Sequence, residues 1–315
     1  MVYRYRWNTL VFISNIICYV TIHRYLRGST KITRNTLLIQ SHSSIYNSGT
    51  IRQNQDALLQ LFGSNRKVPQ VIRDNINNVC ISQEDCLKSY SKKYSKLMVV
   101  TPGGINGFYM MGIIKYITDQ MNLDDYIFSG SSAGAWCCLF LCLKNHSKYY
   151  NLIHTVLTEL QKITHYQSLY HILYSMKNII LSLTTEDDYQ FDRLFIGVLR
   201  YENYKLTTTI YSNFTSLEDA LSCCISSSHI PFITGDFSSI YQGRSVFDGA
   251  FAKYPFLNIY QPTIVIHPRI WKPKPWDFLR VAMNFSMKNI NIPEMFWEGY
   301  RDTLIHGSIL YDIME

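Results

Sequence analysis

The chain is poor in the residues that would mark it as fibrous, disordered or stapled. Its 315 residues include only 15 glycines and 9 prolines, and no low-complexity tract or repeat runs through it. Collagen-like, low-complexity and solenoid architectures are excluded on that ground. Among its eight cysteines and nine histidines there is no C-x-x-C pair and no Cys/His spacing for zinc, so no metal is expected. Cys137, Cys138 and Cys142 follow one apolar run and Cys223 and Cys224 lie in another. Such cysteines behave as small hydrophobes in a core, which points to a reducing, cytosol-facing compartment. Neither G-x-x-x-x-G-K-[ST] nor G-x-G-x-x-G occurs, which removes the nucleotide-phosphate and dinucleotide loops, and no cofactor is expected. The 30 Lys and Arg against 23 Asp and Glu are dispersed and carry no recognition motif, so nucleic acid is not an expected partner.

A run long enough to span a bilayer is also missing. Leu10 to Ile22 is mostly apolar, but it falls short of the roughly 20 residues a spanning helix needs, and Asn15 interrupts it. His23-Arg24 is the wrong flank for a secretory cleavage site. An anchor or interfacial helix over about residues 7–26 is the first reading, with a buried helix and a targeting segment as alternatives. Arginines on both sides leave its topology open.

What the chain does have is apolar content, 47% of 315 residues, enough for one sizeable core without staples. The most informative run is Tyr126-Ile127-Phe128-Ser129-Gly130-Ser131-Ser132-Ala133-Gly134, followed by Ala135-Trp136-Cys137-Cys138-Leu139-Phe140-Leu141. It reads as strand, tight turn and helix, with Ser132 at the apex of a G-x-S-x-G elbow. A serine hydroxyl is a weak nucleophile until the backbone thrusts it toward a base, and Gly130 and Gly134 let strand and helix approach around the turn. Upstream, the β-rich run Leu97-Met98-Val99-Val100-Thr101 enters Pro102-Gly103-Gly104-Ile105-Asn106-Gly107, and a helical pattern leaves it. Bare N–H groups at such a turn, at the positive end of a helix dipole, suit an oxyanion. Far downstream stands Val246-Phe247-Asp248-Gly249-Ala250, an Asp-Gly pair after a β-rich segment that by itself is only a turn.

From Lys96 onward strands and helices alternate, the pattern of α/β layers. Strands are expected at Leu97–Thr101, near Ile127, at Leu206–Tyr211 and at Thr263–His267, with helices from Gly107 to about Met121 and after Ser132. Lys148 to about Leu183 reads as a pair of core-covering helices, with Leu152, Val156, Leu157, Leu160 and Ile163 on one face; a lid over the site is the alternative.

Together these motifs resemble the patatin-like phospholipase family, over roughly Lys96 to Ile305. Gly103, Gly104 and Gly107 match its glycine-rich loop, Gly130-Ser131-Ser132-Ala133-Gly134 its elbow, and Asp248-Gly249-Ala250 its D-G-[GA] motif. Ala220 to Ile233 looks like the helix-to-Pro segment ahead of the aspartate, and Glu298-Gly299-Tyr300 like the C-terminal helix. Gly107-Phe108-Tyr109 and His229-Ile230-Pro231-Phe232 are most similar to the adiponutrin-like branch. Where many members carry a basic residue in the loop, this chain has Asn106.

The resemblance implies an α/β, three-layer sandwich with a central mostly parallel sheet and a nucleophile elbow. It divides the chain into an apolar segment at 1–30, a polar extension at 31–95 and a catalytic domain at 96–310. It implies a Ser132–Asp248 dyad, with an oxyanion hole at Gly103, Gly104 and Ile105, that cleaves fatty-acyl esters of glycerolipids at a membrane or lipid-droplet surface. Two rivals remain open. One is a Ser-Asp-His triad, for which only His267 and His306 follow Asp248; His267 reads as a core histidine at a strand end, His306 as a helix C-terminal cap, and His229, beside the Pro turn, as either a residue that touches the site or a structural cap. The other is a catalytically silent lipid-binding scaffold of the same fold. The basic-aromatic stretch His267 to Phe278, with Trp271 and Trp276, suits a headgroup interface or a solvated loop with partly buried Trp.

Overall fold

The computed structural model describes residues 93–163, 169–202, 205–259, 261–271 and 290–314. The apolar segment at 1–30, the extension up to residue 92 and the 272–278 part of the basic-aromatic stretch lie outside them. The described chain is α/β: a mixed sheet with helices packed against it.

The order of elements begins β1 (Lys96–Val100), α1 (Gly107–Gln120), β2 (Tyr126–Ser131), α2 (Ala133–Leu141), α3 (His146–Ile163) and α4 (Leu169–Leu183). It continues with β3 (Leu194–Glu202), β4 (Lys205–Tyr211), α5 (Leu217–Ser227), the hairpin strands β5 (Ser239–Tyr241) and β6 (Arg244–Phe247), β7 (Ile264–Ile266), α6 (Ile292–His306) and α7 (Ser308–Met314). Each strand and helix expected from Lys96 onward is present within a residue or two; the anchor or interfacial helix expected over about residues 7–26 lies outside the described residues. The Lys148–Leu183 stretch is indeed two helices, and Leu152, Val156, Leu157 and Leu160 are buried. β3 was not foreseen, and it turns out to be the strand on which the sheet is organised.

β7, β1, β2 and β3 are parallel, while β4 and β6 flank β3 antiparallel and β5 pairs with β6. The expected mostly parallel sheet is therefore parallel across its centre and antiparallel at one side. Each strand alternates its side chains between two faces. On one face Met98, Val100, Phe128, Leu194, Ile196 and Val198 join the buried residues of the helices in the main core. On the other, Leu97, Val99, Ile127, Phe195 and Ile210 pack with Tyr254, Phe256 and Leu257.

α2 is buried on all sides, from Gly134 to Leu141, as its unbroken apolar sequence requires. Trp136, 2% exposed, anchors it, and burying a side chain of this kind contributes about 1.5–3 kcal/mol. α5 starts on Ser216, whose hydroxyl accepts the Asp219 N–H, with Glu218 and Asp219 in its first turn. Both features suit the positive end of the helix dipole.

Candidate active site

The strand registers alone bring the two expected site residues together. β2 runs parallel to β3 and ends with Ser131 opposite Gly197. β6 runs antiparallel to β3 and ends with Phe247 opposite Leu199. β4 occupies the other edge of β3 from Ile196 to Glu202, so β2 and β6 must share the remaining edge. They arrive from opposite directions and stop on either side of Val198. Ser132 and Asp248, the next residue of each strand, meet in that gap.

The Ser132 hydroxyl donates to Asp248 Oδ2 at 2.8 Å. Ser132 takes φ 56° and ψ −128°, a conformation rare outside glycine that persists only where the surroundings enforce it. The enforcement is visible. The Ser132 N–H donates to Ser227 Oγ at 2.8 Å, and the Ser227 hydroxyl donates in turn to Gly197 O at 2.7 Å. Gly134 is needed for close approach: a Cβ there would lie 2.1 Å from Val100 O. Gly130 sits in β2 opposite Val100, and Gly107 opens α1 against Ala133.

Asp248 is 2% exposed. Its Oδ1 accepts the Ala250 N–H at 2.7 Å and its own N–H donates to His229 O at 2.8 Å, so both the carboxylate and the backbone are fixed. Burial pushes its carboxyl up to about 7, partly opposed by the hydrogen bonds from Ala250 and Ser132. A carboxylate so raised is a competent base near neutrality. Gly249 fits because it must: a Cβ would fall 2.0 Å from Ser131 Oγ and 2.4 Å from Gly197 O.

The glycine-rich loop forms a single 3-10 turn, Gly104–Asn106, with Gly104 at φ +53°. Asn106 N–H donates to Gly103 O, while the N–H groups of Gly103, Gly104 and Ile105 have no acceptor among the described residues. The turn abuts the elbow through the Gly134–Val100 and Gly107–Ala133 contacts. Asn106, which stands where a basic residue is common in the resembling family, is buried with its Oδ1 unpaired. The first N–H groups of α2, at Ala133 and Gly134, also lack intrahelical acceptors by position.

Among the described residues no histidine side chain hydrogen-bonds to Ser132 or Asp248. His267 follows β7, as expected of a strand-end histidine. Its Nδ1 accepts the Arg269 N–H at 3.2 Å, its Nε2 is buried and unpaired, and burial lowers its pKa to about 4. His306 is the last residue of α6 and stacks on Trp271 at 5.4 Å. For His229, open between a site contact and a structural cap, the ring Nε2 meets Asp236 O at 3.1 Å, which makes it a cap on the turn, and burial lowers its pKa. Trp271 donates to Thr303 Oγ1 at 2.9 Å, a partly buried Trp tied into the fold.

Sequence reading missed Ser226, Ser227 and Ser228 at the end of α5. Each joins a different element: Ser226 meets Ser239 of β5, Ser227 the elbow and β3, and Ser228 accepts from Trp136 Nε1 of α2. Three consecutive serines on an apolar helix end were the available signal, because a buried hydroxyl needs a partner. Among the described residues no group of three His, Cys, Asp or Glu is placed to hold a metal ion, and no helix is long and apolar enough to cross a membrane. Cys137, Cys138, Cys142, Cys223 and Cys224 are free and buried, and burial holds their thiols well above the ordinary range.

No protein-family model matches the chain, and no curated protein does.

Proposed function

We propose that this chain is a patatin-like serine lipid acyl hydrolase, with Ser132 as nucleophile, Asp248 as its base and a glycerolipid ester as substrate. The observation that carries the reading is the 2.8 Å hydrogen bond from the Ser132 hydroxyl to a buried carboxylate raised to about 7. A serine held at a strained elbow against a single tuned base, with no histidine between them among the described residues, is an arrangement for nucleophilic catalysis rather than for packing.

In this scheme Asp248 takes the Ser132 proton as Oγ attacks the ester carbonyl. The N–H groups of Gly103, Gly104 and Ile105 receive the developing oxyanion. The carbonyl reforms, the alcohol leaves with the proton from Asp248, and the acyl group stays on Ser132. Water, deprotonated by Asp248, then releases the fatty acid and restores both side chains. The Ser132 N–H is committed to Ser227, so the oxyanion donors must come from the glycine loop and the start of α2. The patatin-like three-layer arrangement and the adiponutrin-like wording belong to the same proposal, as does action at a membrane or lipid-droplet surface.

The test is fatty-acid release from phosphatidylcholine vesicles and triacylglycerol emulsions by the full chain, beside Ser132→Ala. Release that vanishes in the alanine variant supports the proposal. Release that persists in it refutes the assignment of Ser132, and no release from any glycerolipid favours a silent lipid-binding protein.

A further inference from the structure

Two buried polar atoms at the C-terminal edge of the parallel strands, Ser131 Oγ and His267 Nε2, have no hydrogen-bond partner among the described residues. Register places them in one row. Val100 pairs with Gly130 on one side and Ile266 on the other, and the Thr101 N–H donates to Ile266 O at 2.9 Å, which carries the pairing a step further. The next residues are Ser131 at the end of β2, Thr101 after β1 and His267 after β7. Successive side chains alternate between faces, so this row follows Val99, Ser129 and Val265 on the face away from the helices. The floor beneath it is closed: Val99 and Ser129 are buried, and the Ser129 hydroxyl is already engaged by the Leu257 N–H.

The row is polar, evenly spaced and uncharged. Ser131 is fully buried, and Thr101 is buried with a hydroxyl that reaches only Pro102 O, at a long 3.3 Å, among the described residues. His267 Nδ1 accepts the Arg269 N–H, so the neutral ring carries its proton on Nε2 as a buried donor. Burial, which lowers the ring's pKa to about 4, keeps it neutral. Groups on neighbouring strands stand about 4.8 Å apart. That is too far for a direct bond of about 2.8 Å, and it is the span that one water bridges with two bent legs. Hydroxyls both give and take, so a hydrogen-bonded chain can run from the His267 donor through Thr101 to Ser131. An ion finds no counter-charge in a neutral ring and two hydroxyls, whereas a water between neighbours finds the two polar partners that a buried water needs.

The ends of the row touch the two turns that serve Ser132. At one end a Cβ on Gly249 would lie 2.0 Å from Ser131 Oγ, so Ser131 abuts the turn that carries Asp248. At the other, a Cβ on Gly103 would lie 3.1 Å from Pro268 Cγ, so the residue after His267 packs on the glycine turn. We infer that Ser131, Thr101 and His267 form a buried water-binding site whose waters tie the glycine turn to the base turn and so hold the oxyanion donors in register with Ser132. All three are positioning residues, and none touches the substrate. The site stands on the geometry; its purpose rests on the acyl-hydrolase reading.

The test is a double-mutant cycle in the full chain, Ser131→Ala and His267→Leu, read by urea unfolding and by the rate of fluorophosphonate labelling at Ser132. Residues two strands apart, roughly 10 Å, change stability additively when they share no partner. Joined by waters they do not: each single variant should raise the unfolding constant about tenfold, and the double variant should fall well short of the roughly hundredfold product. Labelling should slow about tenfold in each single variant with its pH midpoint unmoved. His267→Gln, whose amide N–H replaces the Nε2–H, should keep most of the wild-type rate. Additive effects overturn the inference. So do single variants as stable as wild type, because an apolar group in place of a dry, unpaired one costs nothing. A crystal structure of the full chain answers even if a variant fails to fold: ordered water within hydrogen-bond distance of Ser131 Oγ and His267 Nε2 is expected, and none at either atom overturns the site. Coupling in urea without labelling sinks the hydrolase alone, and labelling without coupling sinks the water site alone.

Discussion

The two halves of the sheet build the site from opposite directions and by different means. The parallel half, β7–β1–β2–β3, delivers Ser132 on a strand-turn-helix whose chemistry is local: a glycine pair, a buried helix and a neighbouring glycine turn. The antiparallel half delivers Asp248 on a short edge hairpin whose position is set by pairing with a strand more than forty residues away in sequence, Phe247 opposite Leu199. Neither half holds a complete site. Ser132 and Asp248 meet because two strands end on either side of Val198 along one edge of β3.

The sharpest way to break this pairing is to take the base from the antiparallel half. Asp248→Asn is expected to lower ester hydrolysis by about 10²–10⁴-fold, the range for a general base. The same change should stabilise the fold at alkaline pH. A free aspartate titrates near ~3.9, whereas burial raises Asp248 to about 7. The folded chain thus holds a proton there that the unfolded chain has released, so this group's contribution to stability is full below about pH 4 and is lost as pH rises through about 7. Thermal melts should place Asp248→Asn above wild type at pH 8, with the gap closing toward pH 4. For wild type, kcat/KM should rise with pH to a midpoint near 7.

Closing the gap sterically comes next. Gly249→Ala puts a Cβ 2.0 Å from Ser131 Oγ. It is expected to destabilise the fold by about 1–3 kcal/mol, an overpacking cost, and to lower activity by about 10²-fold through displacement of Asp248. A variant with wild-type melting and rate would show that the two halves do not meet this tightly.

Loosening the parallel half is milder. Ser227→Ala leaves the Ser132 N–H and Gly197 O without their shared hydroxyl, a loss of about 1–3 kcal/mol by denaturant titration. Because Ser227 positions Ser132 and does not titrate, the rate should fall while the midpoint near pH 7 stays put. A midpoint that moves would place Ser227 in the proton path. The smallest effects are expected from His267→Gln and His306→Gln, which should keep most of the activity. A loss in either comparable to that of Asp248→Asn would replace the dyad with a triad.

The same contrast explains what was legible in the sequence. The elbow at Gly130–Gly134, the turn at Gly103–Gly107, α1, α2 and the amphipathic stripe of α3 are local patterns, and each stands where the spacing puts it. β3 was missed because Leu194 to Leu199 is buried on both faces, which erases the alternation that marks a strand. Without β3 the antiparallel side of the sheet could not be anticipated, nor could the meeting of Ser132 and Asp248 be derived from register. It could be expected only through resemblance. The run of three serines could flag Ser227 as a buried hydroxyl in need of a partner, but not name its partners, because Ser132 and Gly197 are distant in sequence.

The most direct measurement is the rate of fluorophosphonate labelling at Ser132, mapped by mass spectrometry in the full wild-type chain and in Asp248→Asn, from pH 5 to 8.5. The expected result is a label on Ser132 alone, formed faster as pH rises through about 7 and slowed at least ~100-fold in the asparagine variant. A folded wild-type protein that takes no label, or a labelling rate indifferent to Asp248→Asn, would contradict the claim that this buried carboxylate activates the serine.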